Sequence, residues 1–511
     1  MERRQVPDTR AYERVVGTFK KYKSGITLSD VAAGTGLPLE RVKTLVPVAA
    51  DEYSARLEVT ESGEILYSFP RGFRSRYRGL GHALNTFLRS FTRIAADAGK
   101  LLFKAWIMVM LLGYFLLFMV IALASLFISI SASNSSNRRD SRGGGLNFSA
   151  GIFSMIIRLW FYSELFGGSR RAYGAPSRLG QWGSANSKPK GRPLHRAIFS
   201  FVFGEDDPNR DRETLEKKEF ISYLRKRRGV VSLPELMTLT GRDPEDAESF
   251  MSALCAEFGG SPEVTEEGTI VYRFDEILLS GEKREREEGG SIANAVSGLP
   301  SILLKKLKVF SLNPKNMNFW FGLINGVNLL FGSYFLYNAM SEGAITTQAG
   351  LQASGIYGLV YYFLSAVSSS PLPIIKIALG FTPLLFSAFF WLIPAIRSWL
   401  LKKENEAIRL NNFRGIFFGR VWNNPERFKP VELAPTEKEC RPQNLQAARD
   451  KLVKEIGTYS SPEVSLDEKQ NECFDFPELR REKDALEKYR SSIDPAQAAP
   501  GKTVFDTSPG A

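Results

Sequence analysis

"EVTESGEILYSF" spans residues 58–69 and "EVTEEGTIVYRF" spans residues 263–274, so one chain carries nearly the same ribbon twice at an offset of 205 positions. In the first copy Val59, Ile65, Tyr67 and Phe69 alternate with polar neighbours around "ESG", and in the second "EEG" takes that place. Alternation broken by a Gly-containing turn predicts a two-stranded antiparallel ribbon. The pairing continues upstream without a gap. "TLSDVAAGTGLPLERVKTLV" (27–46) aligns with "SLPELMTLTGRDPEDAESFM" (232–251), so that Leu28 meets Leu233, Gly36 meets Gly241 and Glu40 meets Glu245. Before these, "YERVVGTFKKYKSG" and "KKEFISYLRKRRGV" have the apolar spacing of amphipathic helices. Each unit therefore reads helix, short helix, glycine turn, longer helix, ribbon, which is the order of a winged helix. A third, partial copy is suggested at 450–479, where "SPEV" (461–464) repeats residues 261–264.

Long apolar runs separate the copies. Ala105–Ile130, Asn316–Ser341 and Ile377–Ile396 each hold at least the roughly 20 apolar residues needed to cross a bilayer. Leu146–Phe166 has the length too but contains Arg158 and Glu164, intramembrane ionisable groups of the kind that are costly and often functional. Ile356–Val367 is short and reads as a re-entrant or surface helix. Basic residues flank these runs, while the loop "SEGAITTQAGLQ" has none. If Leu146–Phe166 crosses, every basic flank falls on one side, which the positive-inside rule makes cytoplasmic. The expectation is a mainly α membrane protein with about four transmembrane helices, both termini cytoplasmic, in a bacterial cytoplasmic membrane. "MERRQVPDTRAYERV" has no apolar core, so no signal peptide is expected.

The domain plan follows. Residues 1–70 form winged-helix-like domain 1, 71–100 a basic amphipathic juxtamembrane helix, 101–168 a membrane hairpin and 169–210 a basic linker. Residues 211–280 form winged-helix-like domain 2, and 281–315 a charged linker with a juxtamembrane helix. Residues 316–400 hold two spans and the short segment, 401–440 a basic juxtamembrane stretch, 441–480 the partial third copy and 481–511 a disordered tail.

Net charge is +12, and its position decides its meaning. The helices that would enter a DNA groove offer Glu40, Arg41, Lys43, Asp51 and Glu52 in one copy and Asp243, Glu245, Asp246, Glu248 and Glu257 in the other. An acidic face opposes phosphate contact, which argues against nucleic acid. Arg71, Arg74, Arg76, Arg78, Arg89 and Arg93 instead interleave with apolar residues ahead of the first span, a pattern suited to anionic lipid head groups. The wing positions Glu61, Ser62, Glu64, Glu266, Glu267 and Gly268 are left as candidate contacts for a protein partner. No P-loop, GxGxxG, HExxH or GxSxG occurs, and the three cysteines and two histidines are scattered. No catalytic, cofactor or metal site is expected.

"LEVTESGEILYSFPRGFRSR" (57–76), "IFSFVFGEDDPN" (198–209), "PEVTEEGTIVYRFDE" (262–276) and "WLIPAIRSWLLKKENEAIRLNNFR" (391–414) together resemble an uncharacterised family of membrane proteins in cyanobacteria and plant plastids. Its plant members are labelled iron-sulfur cluster biosynthesis proteins; these cysteines give that label no footing. The resemblance implies a membrane-anchored, assembly-related role. The expected function is a membrane scaffold or assembly protein recruiting protein partners. A membrane-tethered DNA-binding regulator is the alternative, and a small transporter or membrane enzyme using the Arg158/Glu164 region the third option.

Overall fold

A computed structural model describes residues 9–22, 25–61, 63–70, 72–73, 99–133, 193–278, 302–341, 355–435, 437–467, 470–493 and 503–507. The chain is mainly helical with small sheets and divides into two compact units. Unit one gathers Met1–Arg89, Asp206–Lys308 and Lys402–Ala511; unit two gathers Ser90–Glu205 and Val309–Leu401.

Unit one begins with α1 (Thr9–Lys21), which buries Ala11, Val15, Val16 and Phe19 along one face. α2 (Leu28–Thr35) starts where Thr27 accepts from the Asp30 N–H and Asp30 accepts from the Thr27 N–H, a reciprocal capping box. It stops at Gly36, whose φ of 69° is the left-handed conformation that glycine adopts most readily. α3 (Leu39–Glu52) then buries Leu39, Val42, Leu45, Val46 and Ala49. β1 (Arg56–Thr60) and β2 (Ile65–Ser68) pair antiparallel with Leu57 opposite Tyr67.

The second stretch repeats this local geometry at the same offset. α4 (Arg212–Lys226) and β3 (Val230–Val231) precede α5 (Leu233–Thr240), where Glu235 accepts from the Ser232 N–H and Gly241 ends the helix at φ 69°. α6 (Pro244–Phe258) leads to β4 (Ser261–Val264) and β5 (Ile270–Arg273), with Pro262 opposite Tyr272. Gly63 and Gly268 occupy the two turns at φ 82° and 84°.

The third stretch is built from the end of α7 (Thr382–Asn423), α8 (Leu445–Tyr459), the ribbon β6 (Glu463–Leu466) with β7 (Glu472–Asp475), and α9 (Pro477–Ser492). β8 (Thr503–Asp506) pairs with β1, making the sheet β2-β1-β8. The stretch from 481, expected to be disordered, is thus helical through Ser492 and extended again at 503–506. The ordering comes from long-range contacts: α9 sends Leu479, Leu486 and Arg490 into the interior.

One apolar core joins all three stretches of unit one, including Val15, Phe220 and Phe417. The seams between them are specific. Asp30 pairs with Arg225 at 3.0 Å, and the Arg414 guanidinium forks onto Glu455 at 2.7 and 2.9 Å. A Cβ added at Gly241 would lie 2.4 Å from the Asn411 carbonyl oxygen, so only glycine admits α7 at this distance. Residues 302–308, inside the expected juxtamembrane helix, are not helical. Asn412, Asn209 and Asn405 take the backbone groups of Lys305, Lys306 and Lys308, which removes the need for a helical ladder.

Unit two holds the apolar helices. Three among the described residues are long and apolar enough to cross a membrane: Gly99–Ile128, Lys315–Met340 and Pro371–Asn423. The last continues past Leu401 into unit one. π-helical turns fall at Val109–Gly113 and Ile375–Phe381. Phe118 stacks on Phe331 and Phe335, and Gly380 lets the helices approach, since a Cβ there would meet Leu336 at 3.0 Å. Helix Ile356–Val367 packs Tyr357 beside Phe335, in keeping with a segment too short to span. Leu146–Phe166 lies outside the described residues.

Part of the expected linker 169–210 is a helix of this bundle. Leu194–Phe203 buries Ala197, Ile198 and Val202 in the same cluster as Ile107, Phe321 and Phe390. Arg397 terminates it, donating to the Ser200 and Phe201 carbonyls at 3.2 and 3.0 Å while lying 4.2 Å over the Phe310 ring. A cation on the last carbonyls satisfies groups that the helix itself leaves unpaired.

Candidate functional site

The turns of the two ribbons, which carry the wing residues singled out by sequence, and the groups around them form the candidate site. In the first wing the Thr60 and Gly63 N–H groups close the turn onto the Glu64 and Thr60 carbonyls. Glu61 is exposed there. Burial pushes the half-buried Glu64 carboxyl up, the Glu276 charge adds to this, and Lys43 opposes it. Lys43 itself bridges Glu40 and Glu276 at 3.0 and 3.3 Å. The first wing therefore lies at the seam between the first and second stretches.

The second wing is engaged differently. Gly268 closes the turn through its N–H to the Thr265 carbonyl. Lys488 of α9 reaches Glu267 at 2.6 Å and Glu266 at 3.2 Å, and hydrogen bonding to Lys488 holds the Glu267 carboxyl low. Both partners are open to water, so the ion pairs fix geometry more than they add stability. The next residue, Tyr489, donates to Glu263.

Arg490 then enters the interior. It is 4% exposed and meets Glu235, 2% exposed, at 2.6 Å, while also donating to the Val230 carbonyl at 2.7 Å. The Tyr223 hydroxyl donates to the same Glu235 at 2.6 Å. Glu235 thus caps α5, accepts from Tyr223 and neutralises Arg490, so both buried charges are paired and bonded. Nearby, burial pushes Glu482 of α9 up to about 7, partly countered by the Tyr459 hydroxyl, which is 3.0 Å from both carboxyl oxygens. The charge of Glu235 adds to the rise.

The sequence reading ends the partial third copy at 480 and takes 481–511 as a disordered tail, because "PELRREKDALEKYRSS" is mostly charged. One signal was present: Leu479, Leu486 and Arg490 fall at i, i+7 and i+11, placing an arginine on the apolar stripe. Ser62, Arg71, Arg74, Arg76, Arg78, Arg89, Arg93, Arg158 and Glu164 lie outside the described residues. In unit two the buried polar groups of the long apolar helices, among the described residues, include Asn325, Asn328 and Ser387. Asn328 donates to the Leu111 carbonyl at 2.8 Å, inside the first π-helical turn, and Asn325 donates to the Ser387 carbonyl at 3.1 Å. An amide that closes a bond across helices in an apolar setting ties those helices together.

The same bundle carries a cleft of about 440 Å³ lined by aromatic and aliphatic side chains, Trp106, Phe386 and Phe389 among them, with no charged group. Such a lining suits an acyl chain rather than a polar substrate. Among the described residues, no cluster of three or more His, Cys, Asp or Glu side chains is placed to hold a metal, and Cys255, Cys440 and Cys473 are free thiols.

An uncharacterised chloroplastic protein of Arabidopsis thaliana is 25% identical over 416 residues, covering 78% of this chain and 70% of the relative. The chain is therefore similar, at a distance, to an uncharacterised plastid protein. No protein-family model matches the chain. No solved structure matches it either.

Proposed function

We propose that the chain is an integral membrane scaffold whose winged-helix-like modules, two complete and one assembled from the third stretch, recruit protein partners at the cytoplasmic face of a bacterial-type membrane. The shared core of unit one carries this reading. Val15, Phe220 and Phe417 belong to stretches separated by apolar helices yet pack in one interior, so those stretches occupy one compartment. Two long apolar helices lie between Lys308 and Lys402, an even number of crossings. One lies between Arg89 and Asp206, so a further crossing is required there. Leu146–Phe166 supplies the apolar length, giving four spans with the basic flanks on one side.

Protein rather than nucleic acid is favoured by the exposed faces of α3 and α6. α6 presents Glu245, Asp246 and Glu248 outward, and the Lys43 charge on α3 is already met by Glu40 and Glu276. Phosphate would find repulsion there. The arginines at 71–93 supply attraction for anionic lipid and hold the assembly against the membrane.

The reading is tested by photo-crosslinking in cells, with the probe at Glu61 or at Glu266, both exposed. A recurrent protein adduct is expected at one or both positions. A nucleic-acid adduct that survives nuclease-controlled purification overturns the scaffold and supports a membrane-tethered regulator.

A further inference from the structure

In an antiparallel ribbon, residues alternate between pointing their N–H and C=O groups at the partner strand and away from it. Tyr67 turns its pair away from β1, exchanging both bonds with Ile26 at 3.0 and 2.9 Å. Leu57, opposite Tyr67, therefore turns its own pair to the outer edge. There the Thr507 N–H donates to the Leu57 carbonyl at 3.1 Å, and the Leu57 N–H donates to the Thr507 hydroxyl at 3.0 Å. The ladder continues with Val59 opposite Phe505 and Glu58 opposite Asp506.

The second ribbon has Pro262 at the position of Leu57, opposite Tyr272. Proline has no N–H, so this edge lacks a donor at that position, one of the ways proteins blunt exposed edges. The first ribbon is open by the same criterion and has a strand across it.

That strand is held by hydrogen bonds, while its apolar side chains Val504 and Phe505 stay in water. Val504 is 69% exposed and Phe505 is 61% exposed, so the pairing buries little apolar surface and opens at low cost. The sequence that fits the edge is known from the structure: it is this chain's own "TVFDT" (503–507). A second copy in the same membrane brings the identical strand with identical register.

We propose that the outer edge of β1 is a strand-exchange site, at which strand Thr503–Asp506 of a second copy of this chain replaces the one held in cis. Exchange makes a reciprocal, self-complementary pairing of two copies by strand addition. The proposal stands apart from the recruitment of other proteins and concerns only pairing of this chain with itself.

Two differently tagged full-length chains, one carrying Val59→Cys and the other Phe505→Cys, are co-expressed with Cys255→Ser in both, and membranes are oxidised. A disulfide-linked product bearing both tags is expected. Adding Leu57→Pro to the first chain should lower its yield roughly tenfold, the scale of one lost hydrogen bond, here that from the Leu57 N–H to the Thr507 hydroxyl. The single-chain double variant Val59→Cys/Phe505→Cys measures the cis pairing. Cross-linking confined to that double variant, with no two-tag product, overturns exchange. Absence of cross-linking in both overturns the site itself.

Discussion

The two ribbons share register, turn geometry and a glycine in the left-handed conformation, yet their surroundings hold them by opposite means. The first is flanked by a strand that meets it through hydrogen bonds and leaves Val504 and Phe505 in water. The second is flanked by a helix that contributes Lys488, Tyr489 and the buried Arg490. The edges differ at equivalent positions, Leu57 against Pro262, of which only Leu57 offers an N–H to an added strand. Pro262 removes a donor from its edge, and there Lys488 and Tyr489 make side-chain contacts instead.

The sharpest break in this comparison is Arg490→Ala. It leaves Glu235 buried and uncompensated, and the cost should be about 3–5 kcal/mol. Hydrogen exchange would show the loss across 230–273 and leave 56–68 nearly unchanged; uniform loss over both ribbons would contradict separate anchoring. Phe274→Ala against Phe69→Ala tests the cores beneath. Phe274 is fully buried and packs edge-on to Phe220, so its loss should cost about 3–5 kcal/mol. Phe69 is only half-buried beside Phe19 and Phe73, and chemical denaturation should record a smaller effect.

Acidity sharpens the contrast, because α9 carries the Glu482 carboxyl, whose titration burial shifts. Glu482 is raised to about 7 in the folded protein, whereas an unfolded glutamate titrates near ~4.3. The folded state therefore binds this proton more tightly. Its contribution is complete at acid pH and is lost as pH climbs from about 4 to about 7. Thermal denaturation between pH 5 and 8 should show stability falling across that window. Glu482→Gln should flatten the fall and stabilise the protein at pH 8, by an amount on the order of a few kcal/mol; an unchanged slope would remove Glu482 from the account. The smallest stability effect is expected for Pro262→Leu, within about 1 kcal/mol. Its consequence is a second open edge, seen as new self-association in detergent by light scattering.

Local features were readable from residues alone. Thr27 with Asp30, Gly36 and Gly241, and the alternation around Gly63 and Gly268 act within a few positions, so each announces a cap or a turn wherever the chain goes. Apolar runs of sufficient length announce candidate spans for the same reason. Tertiary structure decided the rest. Leu194–Phe203 looks like a linker until Ile107, Phe321 and Phe390 surround it, and residues 302–308 look helical until three asparagines take their backbone. Glu266 and Glu267 read as a free wing tip, whereas Lys488, more than 200 positions later, lies against them. The edge of β1 is legible as open, since Leu57 has an N–H and Pro262 has none. That "TVFDT" covers it follows from pairing across 450 positions, and hydrogen bonds over that separation carry no local signature.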